Sequence, residues 1–266
     1  MNVLLRLAYK GTRYAGFQVQ PNAMTVCQAF QDALEAVLGE RPDVKGCSRT
    51  DAGVHALDFA LNFHYDGHIP PFRLVLALNA HLPEDIRVKS ARPVPEDFHA
   101  RYAAHAKTYC YRIRNSAVDD PFDWDTCWRT AGALDVAAMQ AAADQLVGTH
   151  DFRAFCAAGS GPAAHGDTVR TITACTVERR GELVTVTVTA DGYLYNMVRI
   201  LAGTLVEAGR GKLDPAALPD ILAKGDRRRA GATLPARGLF LIRVDYPEQA
   251  LQPAENSAPK AESPES

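Results

Sequence analysis

Residues 183–189 read Leu-Val-Thr-Val-Thr-Val-Thr, and no other stretch limits the fold so tightly. Val184, Val186 and Val188 fall on one face and the threonines on the other, so this segment is an extended strand with one covered face. The chain must therefore build a sheet. The same alternation places Val3, Leu5, Leu7 and Tyr9 together, and Tyr109, Tyr111 and Ile113 together, with a closing strand over 239–246. Helical spacing connects Val26, Phe30, Ala33, Leu34, Val37 and Leu38, introduced by Thr25 and Gln28 at capping-box spacing. Two more stripes follow the helical period: Met139, Ala142, Ala143 and Leu146, then Leu194, Met197, Val198, Leu201 and Leu205.

In each half the order reads strand, helix, strands, helix, strand. That order predicts an α+β fold: two similar sandwich halves with mainly antiparallel sheets and a cleft between them. With 266 residues, 47% of them hydrophobic, the chain can bury one large core or two modest ones. The expected boundary is near 105, giving an N-terminal unit over 1–105 and a C-terminal unit over 106–247. Residues 248–266 form a separate tail, in which 14 of 19 residues are Ala, Pro, Ser or Glu. Such a segment has too little apolar surface to offset the entropy of ordering, so disorder is expected.

The six cysteines, at 27, 47, 110, 127, 156 and 175, stand at least 17 residues apart. No short zinc-ligand spacing can be drawn from them, and they read as reduced thiols. The opening apolar run is short and is interrupted by Arg6, and no stretch is apolar enough to span a membrane. A cytoplasmic location is the default. The net charge of −2 argues against a nucleic-acid partner only until the tail, with four Glu and one Lys, is set aside; the remainder carries +1. Basic residues are grouped there: Arg227 to Arg229, Lys107 with Arg112 and Arg114, Arg170, Arg199, and Arg210 with Lys212. Such grouping, more than the total, marks a phosphate-binding surface.

The chemistry concentrates in Gly-Cys-Ser-Arg-Thr-Asp-Ala-Gly-Val-His-Ala-Leu, residues 46–57. An aspartate after a strand commonly caps a turn. Here Gly46 and Gly53 permit tight turns, and Arg49, folded back, would keep the Asp51 carboxylate ionised in an apolar pocket. A desolvated, ionised carboxylate with a fixed partner is what a nucleophile or base requires. His55 completes no hydrolytic triad, because no serine elbow exists in the chain. His64 and His68 lack the glutamate and the helical context of a zinc motif, and read as structural or surface residues. The 159–166 stretch places its glycines wrongly for a dinucleotide and lacks a P-loop lysine, so it reads as a loop. Neither a cofactor nor a metal site can be drawn.

One carboxylate, scattered arginines and no cofactor lead to a resemblance. "SRTDAGVHAL" resembles the catalytic motif of the tRNA pseudouridine synthases that act at positions 38 to 40 of the anticodon stem-loop. "LAYKGTRYAGFQVQP", "ALNAHLPEDIRV", "DFHARYAAHAKTYCYRI", "HDFRAF", "YLYNMVRILAGTLVEAGRGK" and "GLFLIRVDYP" are similar to segments of that family, in the same order, over residues 1 to 247. The resemblance implies that Asp51 is the catalytic aspartate, that Tyr109 contacts the target base, that Arg199 is the basic partner of the aspartate and that Arg49 contacts RNA. It also implies a homodimer with tRNA lying across both subunits, and no cofactor.

The reaction suits this inventory. The N1 glycosidic bond of uridine breaks, uracil turns, and C5 bonds to the same ribose carbon, so no atom is gained or lost. A carboxylate serves by attacking the ribose, adding to the base or removing a sugar proton. A base stacked in a stem must be flipped out to be reached. Two other readings share the motif: a noncatalytic RNA-binding protein with this fold, and a synthase acting at another RNA position. The chain departs from many relatives at Cys47-Ser48, at the start of "YLYNMVR" and in the 156–169 loop, which lacks a serine-rich pattern.

Overall fold

The computed structural model describes residues 1–157 and 166–252. In chain order the N-terminal half holds β1 (Asn2–Tyr9), α1 (Val26–Leu38), β2 (Lys45–Gly46), β3 (His55–His64), α2 (Pro71–His81) and β4 (Ile86–Pro93). The C-terminal half begins with β5 (Ala106–Asn115), β6 (Trp128–Thr130), α3 (Val136–Asp144) and β7 (Gly148–Asp151). It continues with β8 (Val169–Arg180), β9 (Leu183–Ala190), α4 (Met197–Gly209), α5 (Leu218–Lys224), β10 (Leu239–Asp245) and α6 (Glu248–Leu251). The class is α+β, with a mainly antiparallel sheet as the alternation predicts.

Both halves share one sheet among the described residues, ordered β4-β1-β3-β10-β5-β9-β8-β7, with β2 on β3 and β6 on β5. β10, from the far end of the chain, pairs in parallel with β3 through Phe240–His55 and Leu241–Ala56, and antiparallel with β5. It is the strand that joins the halves. Val184, Val186 and Val188 of β9 are fully buried, as their alternation requires. They belong to a hydrophobic cluster that also contains Leu5, Phe59 and Leu201, so the core crosses the junction.

Local signals explain the helix ends. The Thr25 hydroxyl accepts from the Gln28 amide at 3.2 Å and caps α1. Asp135 accepts from the Ala138 amide at 3.1 Å and caps α3. Leu194, placed by spacing on the stripe of α4, lies before that helix, because Asn196 takes a left-handed φ of 60° and starts the helix at Met197. Residues 248–251, grouped with the tail by composition, form a helical turn whose Leu251 carbonyl accepts from Arg92 at 2.8 Å. The rest of the expected tail, from 253, lies outside the described residues, as do residues 158–165 of the expected loop.

His55 ties three distant segments together. It is 1% exposed, and its ring stacks on Phe240 at 4.5 Å. Its Nδ1 accepts from the Gly11 amide at 3.0 Å, so the proton sits on Nε2, 3.1 Å from the carbonyls of both Asp125 and Arg237. The ring is structural. Burial holds its pKa below the ordinary value, against the pull of the Arg237 and Asp125 carbonyls. On acidification the unfolded chain therefore takes the proton first, so this stabilisation is complete above the unfolded pKa of about 6.5 and is lost as pH falls below it. Urea unfolding should show a larger loss between neutral and mildly acid pH for the wild type than for His55→Gln. Equal losses would remove His55 as the source. His55→Ala should cost about 3 kcal/mol at neutral pH, from a cavity and an orphaned amide.

Candidate active site

Asp51 stands in the loop between β2 and β3, pressed against the segment that follows β1. The Phe17 amide donates to the Thr50 carbonyl at 3.1 Å, the Gly53 amide to the Tyr14 carbonyl at 3.2 Å, and the Tyr9 and Thr50 hydroxyls meet at 2.8 Å. Gly16 makes this approach possible: its φ is +90°, and a Cβ there would stand 2.6 Å from the Thr50 carbonyl oxygen. Two backbone segments thus clamp the loop and fix where the carboxylate emerges.

The carboxylate meets α4, 148 residues further on. Arg199, in the first turn of that helix, donates through Nη1 to Asp51 Oδ2 at 3.3 Å and to Asn196 Oδ1 at 2.6 Å, and through Nε to the Leu234 carbonyl at 2.6 Å. The left-handed turn at Asn196 brings its side-chain oxygen under the guanidinium. The Asp51 side chain is 26% exposed and that of Arg199 18%. Burial pushes the Asp51 pKa up, while the charge and hydrogen bond of Arg199 oppose the rise. The result is a carboxylate poorly solvated yet held beside a fixed cation.

Asp51 opens into a cavity of about 830 Å³ lined from both halves, which also contains Tyr109, Arg49 and residues 192–198. Three of the four site residues expected from the sequence, Arg49, Asp51 and Tyr109, line this one cavity, and the fourth, Arg199, touches Asp51 without lining it. Tyr109 is 6% exposed; its hydroxyl lies 2.9 Å from Ser48 Oγ, and its ring packs edge-on to Tyr193 at 4.9 Å. Arg49 does not fold back onto Asp51, contrary to the reading from local sequence. It is exposed at the cavity wall, and the long-range Arg199 takes the partner position.

The basic groups are dispersed by the fold. Along β5, Lys107 faces the cavity while Arg112, on the opposite face of the strand, lies over the Phe240 ring, and Arg114 pairs with Asp123 and Glu182. Arg228 and Arg229 are paired with Asp226 and Asp220, and Arg210 and Lys212 with Glu207. These expected phosphate contacts are instead neutralised locally. The sequence assigned no role to Ser48, Tyr193 or Asn196, which contact Tyr109 and Arg199, although Ser48 opens "SRTDAGVHAL" and the other two stand in "YLYNMVRILAGTLVEAGRGK". His64 and His68 line a separate hollow, where His64 Nε2 lies 2.9 Å from the Glu96 carbonyl and His68 pairs with Asp66.

The Asp51–Arg199 pair thus stands at a cleft between the two halves of a mainly antiparallel α+β sheet. Residues 7–103 and 142–247 match the profile of a tRNA pseudouridine synthase family; Arg49, Asp51 and Arg199 fall inside these segments and Tyr109 between them. The tRNA pseudouridine synthase A of Thermoanaerobacter sp. (strain X514) is 43% identical over 245 residues, 92% of this chain and 99% of that protein. The protein of the same name from Moorella thermoacetica is 48% identical over 244 residues, 91% and 98% of the two chains. That of Shouchella clausii is 47% identical over 242 residues, 91% of this chain and 92% of that one. The chain belongs to the tRNA pseudouridine synthase family and is an isomerase. No helix among the described residues is long and apolar enough to cross a membrane.

The opposing effects on Asp51 are separable by carbon-13 NMR titration of its carboxyl. The midpoint should lie above the ordinary aspartate value of 3.8 in the wild type, and higher still in Arg199→Gln, which keeps the burial and loses the cation. A midpoint unmoved by Arg199→Gln would contradict the pairing. Because the folded pKa is raised, Asp51 contributes its stability below the unfolded value and loses it as pH rises through the folded one. Asp51→Asn should therefore gain stability relative to the wild type over that interval.

Proposed function

We propose that the chain converts uridine to pseudouridine at one or more of positions 38, 39 and 40 in the anticodon stem-loop of tRNA, with Asp51 as the catalytic carboxylate. The observation that carries this reading is the Asp51–Arg199 pair at 3.3 Å, its carboxylate lining a cavity that is also walled by Tyr109 and by arginine side chains. Attack on the ribose, addition to the base and removal of a sugar proton all need an ionised carboxylate. Burial of Asp51 strips water from the oxygens and raises their reactivity, while Arg199 keeps enough charge on them for the first step.

The remaining side chains have work suited to a flipped nucleotide. Tyr109 offers an aromatic wall to the uracil, and its contacts with Ser48 and Tyr193 limit its rotation. Arg49, exposed at the same wall, meets the RNA backbone. A cavity of about 830 Å³ holds a nucleotide and leaves room for the base to turn before C5 bonds to the ribose carbon. The C5 proton leaves and N1 gains one, so the atoms balance without a cofactor. Walls that exclude water keep the broken glycosidic bond from ending as an abasic site. The working form is a homodimer in the cytoplasm, each tRNA lying across both subunits.

Incubation with unmodified tRNA carrying uridine at 38, 39 and 40, followed by chemical mapping of pseudouridine, tests this directly. The wild type should convert one or more of these positions, and Asp51→Asn should convert none while still binding the tRNA and unfolding cooperatively. Binding without conversion by the wild type, or conversion confined to another RNA position, would refute the proposal. Arg199→Gln should lose turnover at least a hundredfold, as removal of one charged partner from a desolvated pair does.

A further inference from the structure

Among the described residues most arginines and lysines have a carboxylate beside them, and three of those that do not are gathered at the cavity. Among the described residues, Arg49, Arg101 and Lys107 line it without an ion pair or a hydrogen bond from the side chain, whereas Arg170 at the same wall pairs with Asp167, and Arg199 pairs with the lining Asp51. Arg101 and Lys107 also act on one another. Burial holds the Lys107 ammonium below its ordinary pKa, the Cys47 thiol opposes that fall, and the charge of Arg101 deepens it. Two cations held close without an anion are unfavourable unless a ligand supplies one.

Between them along the chain stands an aromatic ring with no packing reason to be there. Tyr102 is 77% exposed, yet it lines the cavity, with the His99 ring at 4.4 Å and the Arg101 guanidinium 5.8 Å from its centroid. The backbone that carries it is fixed. The Tyr102 and Ala103 amides donate to the His99 carbonyl at 3.1 and 3.0 Å, the Arg101 amide to His99 Nδ1 at 3.1 Å, the Ala100 amide to Asn62 at 2.8 Å, and the Tyr246 hydroxyl to the Ala100 carbonyl at 2.7 Å. A rigid turn thus presents an exposed ring and a free guanidinium at one edge of the cavity.

We propose that Arg101, Tyr102 and Lys107 form a subsite for the nucleotide flanking the target uridine, its phosphate held by the two cations and its base stacked on Tyr102. The proposal rests on the RNA-isomerase reading above. An unpaired base stacks on any exposed aromatic face regardless of its identity, and a phosphodiester relieves the repulsion between the cations. Anchoring the neighbour of the flipped nucleotide fixes the ribose whose carbon faces Asp51. All three side chains then bind substrate, Tyr102 through the base and Arg101 and Lys107 through the phosphate.

The test uses the full-length wild type, Tyr102→Ala, Tyr102→Phe, Arg101→Gln, Lys107→Met and Lys107→Arg with a synthetic anticodon stem-loop RNA containing the target uridine. Affinity is measured over a salt series, and conversion in single turnover at saturating enzyme. Tyr102→Ala should weaken binding roughly tenfold or more, as loss of one base–aromatic stack does, while Tyr102→Phe binds as the wild type does. Arg101→Gln and Lys107→Met should each lower the slope of log affinity against log salt by about 1, a change that Tyr102→Ala does not make and that Lys107→Arg avoids. Wild-type affinity and slope in Tyr102→Ala, Arg101→Gln and Lys107→Met, alongside normal conversion by the wild type, would overturn the subsite alone. A wild type that binds this RNA and forms no pseudouridine would overturn the isomerase reading, and the subsite with it. Tyr102 is exposed, so its variants keep the test decisive even where a Lys107 variant fails to fold.

Discussion

The pair formed by Asp51 and Arg199 is the constraint on which the rest of the arrangement depends. It joins residues 148 positions apart and belongs to two different parts of the chain, a loop clamped beneath β1 and the first turn of α4. Neither group would stand where it does without unusual backbone behind it. Gly16 allows the loop to approach, and Asn196, the single non-glycine residue with positive φ among the described residues, turns the chain so that its oxygen receives the guanidinium. The pair is also where the competing electrostatic effects meet, since burial raises the carboxylate pKa and the arginine resists.

Around that pair the distribution of charge follows a simple division. Outside the cavity, arginines and lysines are largely neutralised by neighbouring carboxylates, as Arg114, Arg228 and Arg229 are. Exposed pairs of this kind contribute little to stability, but they remove positive charge from the surface. Within the cavity, Arg49, Arg101 and Lys107 keep theirs. A chain whose overall charge is slightly negative thereby keeps three unpaired cations together at one cavity, where a polyanion can meet them.

Sheet and helix content were largely legible wherever one face of an element is buried and the other is wet. The valines of β9, the apolar stripe of α1 with its Thr25 cap, and the stripe of α4 from Met197 onward all follow from period and capping alone. α2, expected from the order of elements, was given no residues for the opposite reason. Phe72 and Leu76 are 66% and 69% exposed while Leu74 and Leu78 are buried, so apolar residues occupy both sides and blur the helical period. The join between halves was equally illegible. Parallel pairing of β10 with β3 brings together residues about 185 positions apart, as with Phe240 and His55, and no local pattern encodes such a contact.

The sequence by itself determined the class of fold, the loop that carries Asp51 and, through ordered motifs, the family. These depend on short-range periodicity and on the identity of residues close together along the chain. Only the tertiary structure decided that Arg49 stands apart from the carboxylate while Arg199, named as its partner by the resemblance alone, lies 3.3 Å from it, that His55 is a buried tie between segments, and which cations remain free. A strand sends neighbours such as Lys107 and Arg112 to opposite faces, and a helix end delivers an arginine from a remote segment. Proximity along the chain therefore says little about which charges meet, because that is fixed by the packing of surfaces far apart in sequence.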